Sequence, residues 1–214
     1  MAATLPSSTD RRRRRRLRLF PIVFYTVGAL GLAYFLAERP TTTVVFVRHA
    51  DIDTAMSADD AAPLNARGRL RAELLADFLE DIDVVAGVNA IYASEKRRTQ
   101  ETAAPLAKRL NLEVQIADHH DTQGFMDHVR KEHAGEIVLI VSHSDTIAPL
   151  IDELHGSKRL PPIAPDEYDE VYIVTVPWYG KVKTLRLHYG EALSAARVTE
   201  RDIEAPVLGA SAEH

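Results

Sequence analysis

Short β-branched runs alternate with stretches of helical period along most of the chain. The run TTVVFVRHAD, from Thr42 to Asp51, ends in polar, reactive side chains, as a buried strand opening onto a ligand loop does. Residues 65–80 place Leu70, Leu74, Leu75 and Phe78 on one stripe, which predicts an amphipathic helix. NAIYAS at 89–94 predicts a second strand, residues 96–110 a second helix, and LEVQI at 112–116 a third, short strand. Residues 122–133 fit a helix, and EIVLIVS at 136–142 is the strongest strand signal in the chain. DTIAPLIDEL at 145–154 reads as a helix, with Pro149 either in an early turn or at a bend. EVYIVTV and KVKTLRL, separated by Pro-Trp-Tyr-Gly, read as a hairpin. Strands alternating with helices predict one α/β domain over residues 41–190, with LPPIAP at 160–165 as a loop and 191–214 as a loosely packed tail.

A different pattern precedes this domain. Residues 1–18 end in RRRRRRLR, and residues 19–37 then carry no charge. At the helical rise this stretch spans about 28 Å, close to a bilayer core. The arginines before it predict a single-pass transmembrane helix or signal-anchor, with a cytoplasmic N-terminus and the catalytic domain on the extracytoplasmic side. A cleaved signal peptide and a buried core helix are the competing readings. Pro21 is expected in the first helical turn, which tolerates it.

Charge sharpens the division. Residues 1–37 hold seven arginines and Asp10, so the remainder carries 19 basic and 30 acidic residues, a balance of −11. So acidic a body argues against nucleic acid as a partner. The absence of cysteine excludes disulfides, thiolate catalysis and cysteine–zinc sites together.

Two histidines stand out by position. His49 and His143 each follow a hydrophobic strand pattern, and Arg48 adjoins the first. A histidine in such a place is often a structural hydrogen-bonding residue. In an α/β sheet, however, the strand ends share the crevice where ligands bind, so the set also fits a phosphate or carboxylate site. His119-His120-Asp121 has metal-ligand residue types, but adjacent side chains rarely aim at one ion.

The residues then carry a resemblance. VVFVRHAD resembles the opening motif of the histidine phosphatase superfamily (the phosphoglycerate mutase-like branch), with Ala50 where Gly is usual and Asp51 where Glu often follows. PLNARGRLRAELLADFL, YASEKRRTQETAAPLA and VLIVSHSDTI are similar to the family's later segments, in order and spacing, across roughly residues 43–188. The resemblance implies a single three-layer α/β/α domain around a mostly parallel sheet. It implies His49 as the nucleophile, His143 as its electrostatic partner, and Arg48 and Arg98 as phosphoryl ligands. Arg98 lies four residues after Ser94, which leaves Arg97 on the helix surface. Asn65 either supports the phosphate loop or caps the helix that follows.

The general acid is not fixed by the resemblance. Asp121 is the leading candidate, followed by Asp51 and Asp145, each with an ordinary loop or capping role as the alternative. The expected activity is a metal-independent phosphatase, with no cofactor, acting on a small-molecule, lipid or protein-borne phosphoryl group. A non-hydrolytic phospho-ligand sensor and a phosphosugar-type mutase are the other readings.

Overall fold

The structure is a computed structural model that describes residues 8–37, 41–56, 58–80, 87–118 and 121–189. Two compact units divide the chain, Met1–Pro40 and Thr41–His214. The expected tail at 191–214 and the His119-His120 pair lie outside the described residues.

The first unit corrects the sequence reading. Its helix α1 runs Ser8–Ala37, beginning ahead of the arginine run, so Pro21 lies within the helix and not in its first turn. Among the described residues no helix is long and apolar enough to cross a membrane. Helix α1 instead takes seven arginines and Asp10 into one continuous element with the apolar stretch. The transmembrane helix or signal-anchor at 19–37 is therefore not supported. The single-pass topology, the extracytoplasmic placement and the membrane as a partner fall with it.

The second unit is built on a six-stranded sheet: β1 (Thr42–Arg48), β2 (Ala90–Ala93), β3 (Val114–Ile116), β4 (Ile137–Ser142), β5 (Glu170–Val176) and β6 (Lys183–His188). Their spatial order is β3-β2-β4-β1-β5-β6. The first four strands are parallel, while β5 runs antiparallel to β1 and β6 antiparallel to β5. The helices that return the chain between parallel strands are α2 (Ala66–Glu80), α3 (Arg97–Leu110) and α4 (Thr122–Glu132), and α5 (Ile147–Glu153) follows β4.

Alternation along the central strands makes two cores from one sheet. Val44 and Phe46 of β1, with Val138 and Ile140 of β4, pack against Phe125, Met126 and Val129 of α4 and Ile147, Leu150 and Ile151 of α5. Val45 and Val47, with Leu139 and Val141, pack on the other side against Leu75 and Leu79 of α2 and Ala103 and Leu106 of α3. The result is a three-layer α/β/α domain with a mostly parallel sheet. Pro149 occupies the first turn of α5, where the missing N–H has little consequence.

The expected stripe on α2 is displaced. Leu75 is buried, but Leu70 and Leu74 are 38% and 37% exposed. The inward face is instead Ala72, Leu75, Ala76 and Leu79, with Gly68 and Arg71. Close approach decides this: a Cβ on Gly68 would stand 2.0 Å from the carbonyl oxygen of Asp51. A helix lying this near the β1 loop presents small residues to it, and its bulkier leucines move to the edge.

Candidate active site

The site grows from the carboxyl ends of β1, β4 and β2, which lie side by side. Arg48 pairs in register with Ser142, and His49 extends the ladder by one bond, its N–H donating to the Ser142 carbonyl at 3.0 Å. His143 therefore leaves the sheet beside His49. Their rings meet edge to face, with centroids 5.3 Å apart. Ser94, at the end of β2, shares a 3.0 Å hydrogen bond with His143 Nε2 and a 2.8 Å bond with the Thr99 hydroxyl.

One hydrogen bond fixes the chemistry of His49. Its Nδ1 lies 2.9 Å from the carbonyl oxygen of Ala50. A carbonyl only accepts, so Nδ1 carries the proton and Nε2 keeps its lone pair. Burial pushes the His49 imidazolium down to about 4, and the Arg48, Arg98 and Lys96 cations push in the same direction, against the Ala50 contact. The ring is thus neutral near pH 7, as a nucleophilic imidazole must be.

Both arginines retain donors. Arg98 stands in the first turn of α3, buried, with Nη1 donating to the Asp59 carbonyl at 3.1 Å. Arg97, beside it, faces out and pairs with Glu101 at 2.7 Å. Arg48 donates through Nη1 to the carbonyls of Ala164 and Glu167, at 2.8 and 2.9 Å. The Nε atoms of Arg48 and Arg98 are buried without a hydrogen-bond partner. Orphaned guanidinium donors of this kind beside a neutral imidazole make a site for an oxyanion.

The remaining candidates are placed elsewhere. The Asn65 side-chain oxygen Oδ1 accepts from the Gly68 N–H at 2.8 Å, which is a helix cap on α2. Asp51 is buried between Arg71, at 2.5 Å, and Arg67, at 3.3 Å. Asp121 caps α4, accepting from the Gly124 N–H at 2.9 Å, and is exposed. Asp145 is exposed in the turn after His143, while the cap position of α5 belongs to Thr146. No hydrogen bond or ion pair joins any of the three carboxylates to His49 among the described residues.

The fold also brings in residues that the sequence did not mark. Tyr168 lies under the Arg48 guanidinium, 4.1 Å from ring centroid to Cζ, and its ring is 6.0 Å from that of His49. Lys96 adds charge near His49, and Thr102 accepts a hydrogen bond from the Ala50 N–H at 2.9 Å. Ser94 and Thr102 were visible as letters of the Ser94–Ala103 segment. Tyr168 had no local signal. A group of metal-ligand type, Glu167, Glu170 and His188, has ligand atoms within 4.8 Å of one another, but Arg186 pairs with both carboxylates and already supplies the cation there.

The sequence profile of the histidine phosphatase superfamily (branch 1) matches residues 44–120, from β1 through α3 and β3. Over that stretch the chain is similar to the superfamily. The fold agrees. The protein histidine phosphatase SixA complexed with tungstate aligns at 20% identity and a TM-score of 0.56, covering 68% of this chain and 96% of that one. A mycobacterial glucosyl-3-phosphoglycerate phosphatase aligns at 14% identity and a TM-score of 0.50, with 70% and 98% covered. A phosphoserine phosphatase variant from Entamoeba histolytica aligns at 12% and 0.52, with 69% and 96% covered. Likeness at these identities is one of fold. The three structures are named for three different phosphatase activities on a shared fold.

Proposed function

We propose that the chain is a metal-independent phosphatase that works through a phosphohistidine on His49. The observation that carries this reading is the state of His49: neutral, with Nδ1 held by the Ala50 carbonyl and Nε2 left with its lone pair, between two buried arginines with unpartnered donors. Nε2 attacks phosphorus as the bond to the leaving atom breaks, and the leaving atom takes up a proton. Water then attacks the phosphohistidine, the N–P bond breaks, and orthophosphate leaves with His49 restored to neutrality. Arg48, Arg98 and His143 meet the charge on the transferring oxygens, where fixed donors contribute most.

The placement of the acids bears on substrate. Asp51 is engaged by two arginines and Asp121 by a helix cap. A leaving group that demands little from an acid suits such a site, which favours a phosphoramidate, such as a protein-borne phosphohistidine, over an ester of a basic alcohol. The lipid phosphate among the sequence expectations rested on membrane attachment, which the structure does not support.

The test is rapid quench of the full chain with labelled phosphohistidine and p-nitrophenyl phosphate, without added metal, followed by peptide mapping at alkaline pH. Acid-labile phosphate is expected on the peptide containing Val47-Arg48-His49, and none in His49→Ala. Undiminished turnover by His49→Ala would sink the mechanism. Tight binding of phosphate compounds with no turnover on any of them would favour the sensor reading.

A further inference from the structure

We infer that Tyr168 is a positioning residue of this site, holding the Arg48 guanidinium in place beside His49. The inference rests on the phosphatase reading above. Arg48 is the least constrained of the central residues from its own strand, because a long side chain leaving β1 can swing about several torsions. Its fixity comes from the segment Ala164–Tyr168. That segment supplies two carbonyls to Nη1 and one aromatic face to the guanidinium carbon. The two carbonyls define one edge of the fork, and the ring removes the remaining rotation out of the plane. Nε, left without a partner, is then held at a set orientation and not merely nearby.

The segment is closed on itself and tied to its surroundings, as a support should be. The Ala164 N–H donates to the Glu167 carboxylate at 3.1 Å, and that carboxylate also pairs with Arg186. The Tyr189 hydroxyl donates to the Tyr168 carbonyl at 3.0 Å, and the Tyr189 N–H to the Asp169 carbonyl at 2.9 Å. Tyr189 is fully buried, so these last two bonds tie Tyr168 to the core on the α2 and α3 side. The connection from β6 back to Arg48 thus runs Tyr189 to Tyr168 to the guanidinium. In contrast, nothing in this chain of contacts requires the Tyr168 hydroxyl, and the ring is the functional part.

The experiment compares Tyr168→Phe and Tyr168→Leu in the full chain, by p-nitrophenyl phosphate kinetics and by calorimetric binding of inorganic phosphate. Tyr168→Phe keeps the ring and should stay within about 2-fold of the parent in both. Tyr168→Leu should weaken phosphate binding and lower kcat/KM by about 10-fold, the scale of a partly desolvated cation–aromatic contact. In an Arg48→Lys background, whose ammonium cannot lie flat on the ring, Tyr168→Leu should have almost no further effect. A thermal midpoint that falls equally in the Phe and Leu variants, or a Leu effect undiminished in Arg48→Lys, would mean a structural role and overturn the assignment. So would a Leu variant that binds phosphate and turns over like the parent. A parent that neither binds phosphate nor hydrolyses any ester fails the underlying reading instead, and the assignment with it.

Discussion

The hydroxyl of Thr102 joins the two halves of the site: it accepts the Ala50 N–H at 2.9 Å and donates to the Arg98 carbonyl at 2.7 Å. Ala50, next to His49, and the turn that carries Arg98 are therefore set against each other by one oxygen. Ala50 is fully buried, packing with Ile52, Leu64 and Ala72, so its N–H has no recourse to water.

Thr102→Val keeps the shape and removes that oxygen. An unsatisfied buried N–H costs about 1–3 kcal/mol, and urea denaturation should show a loss of this size. Activity should fall further than stability explains at temperatures where the variant remains folded, because the His49 loop and Arg98 lose their shared reference. A variant with the parent's stability and kinetics would show that the bond is replaceable.

The state of His49 sets a pH dependence. Burial pushes its pKa down to about 4 from the ordinary 6.5, so the neutral imidazole persists through mildly acid solution. The acid limb of kcat/KM attributable to His49 should fall near pH 4, with activity largely retained at pH 5.5. Stability follows the same sign. Between these values the unfolded chain binds a proton that the folded chain does not, so His49's contribution is complete above pH 6.5 and is lost as pH falls towards 4. A limb centred at 6.5 in the parent would show a solvated, ordinary imidazole.

The adjacent arginines separate by burial. Arg98→Ala should lower kcat/KM by at least about 100-fold, roughly 2.7 kcal/mol, through loss of a donor that strengthens as charge moves onto the phosphoryl oxygens. Arg97→Ala removes an exposed pair with Glu101 and should change it several-fold at most. Reversed effects, measured by steady-state kinetics, would shift the site by one residue.

Asp121 can be tested without losing its helix. Asn caps a helix about as well as Asp but cannot supply an acidic proton, whereas Ala costs about 1 kcal/mol of stability. If the cap is its whole role, Asp121→Asn should match the parent on esters of both good and poor leaving groups, and Asp121→Ala should lose only stability. Selective loss on the poor leaving group in Asp121→Asn would restore Asp121 as the acid.

How far the sequence reached can be followed residue by residue. The β-branched runs ending at Arg48 and Ser142, each followed by histidine, are short-range patterns, and strand geometry alone sends both histidines to the same end of a parallel pair. Four residues after Ser94, helical periodicity turns Arg98 inward and Arg97 outward. The apolar run after the arginines was misleading: composition gave a membrane length, but helix boundaries depend on the whole segment that propagates, and α1 begins at Ser8.

Other outcomes belonged to contacts between segments remote in sequence. The three carboxylates were indistinguishable as letters. Asp51 met Arg71 only when α2 folded across the β1 loop, and Asp121 turned to Gly124 when α4 began there. The inward face of α2 went to alanines because the Asp51 carbonyl stands where a side chain on Gly68 would be. Tyr168 reached Arg48 across 120 positions of chain because β5 returns antiparallel beside β1 and sets the preceding loop over the strand end. Sequence by itself determined which residues are strand-end histidines and helix-turn arginines, since those follow from local period. The tertiary structure decided which donors stay unpaired, which carboxylates are engaged and what holds Arg48, because hydrogen bonding and burial depend on which distant segments arrive beside them.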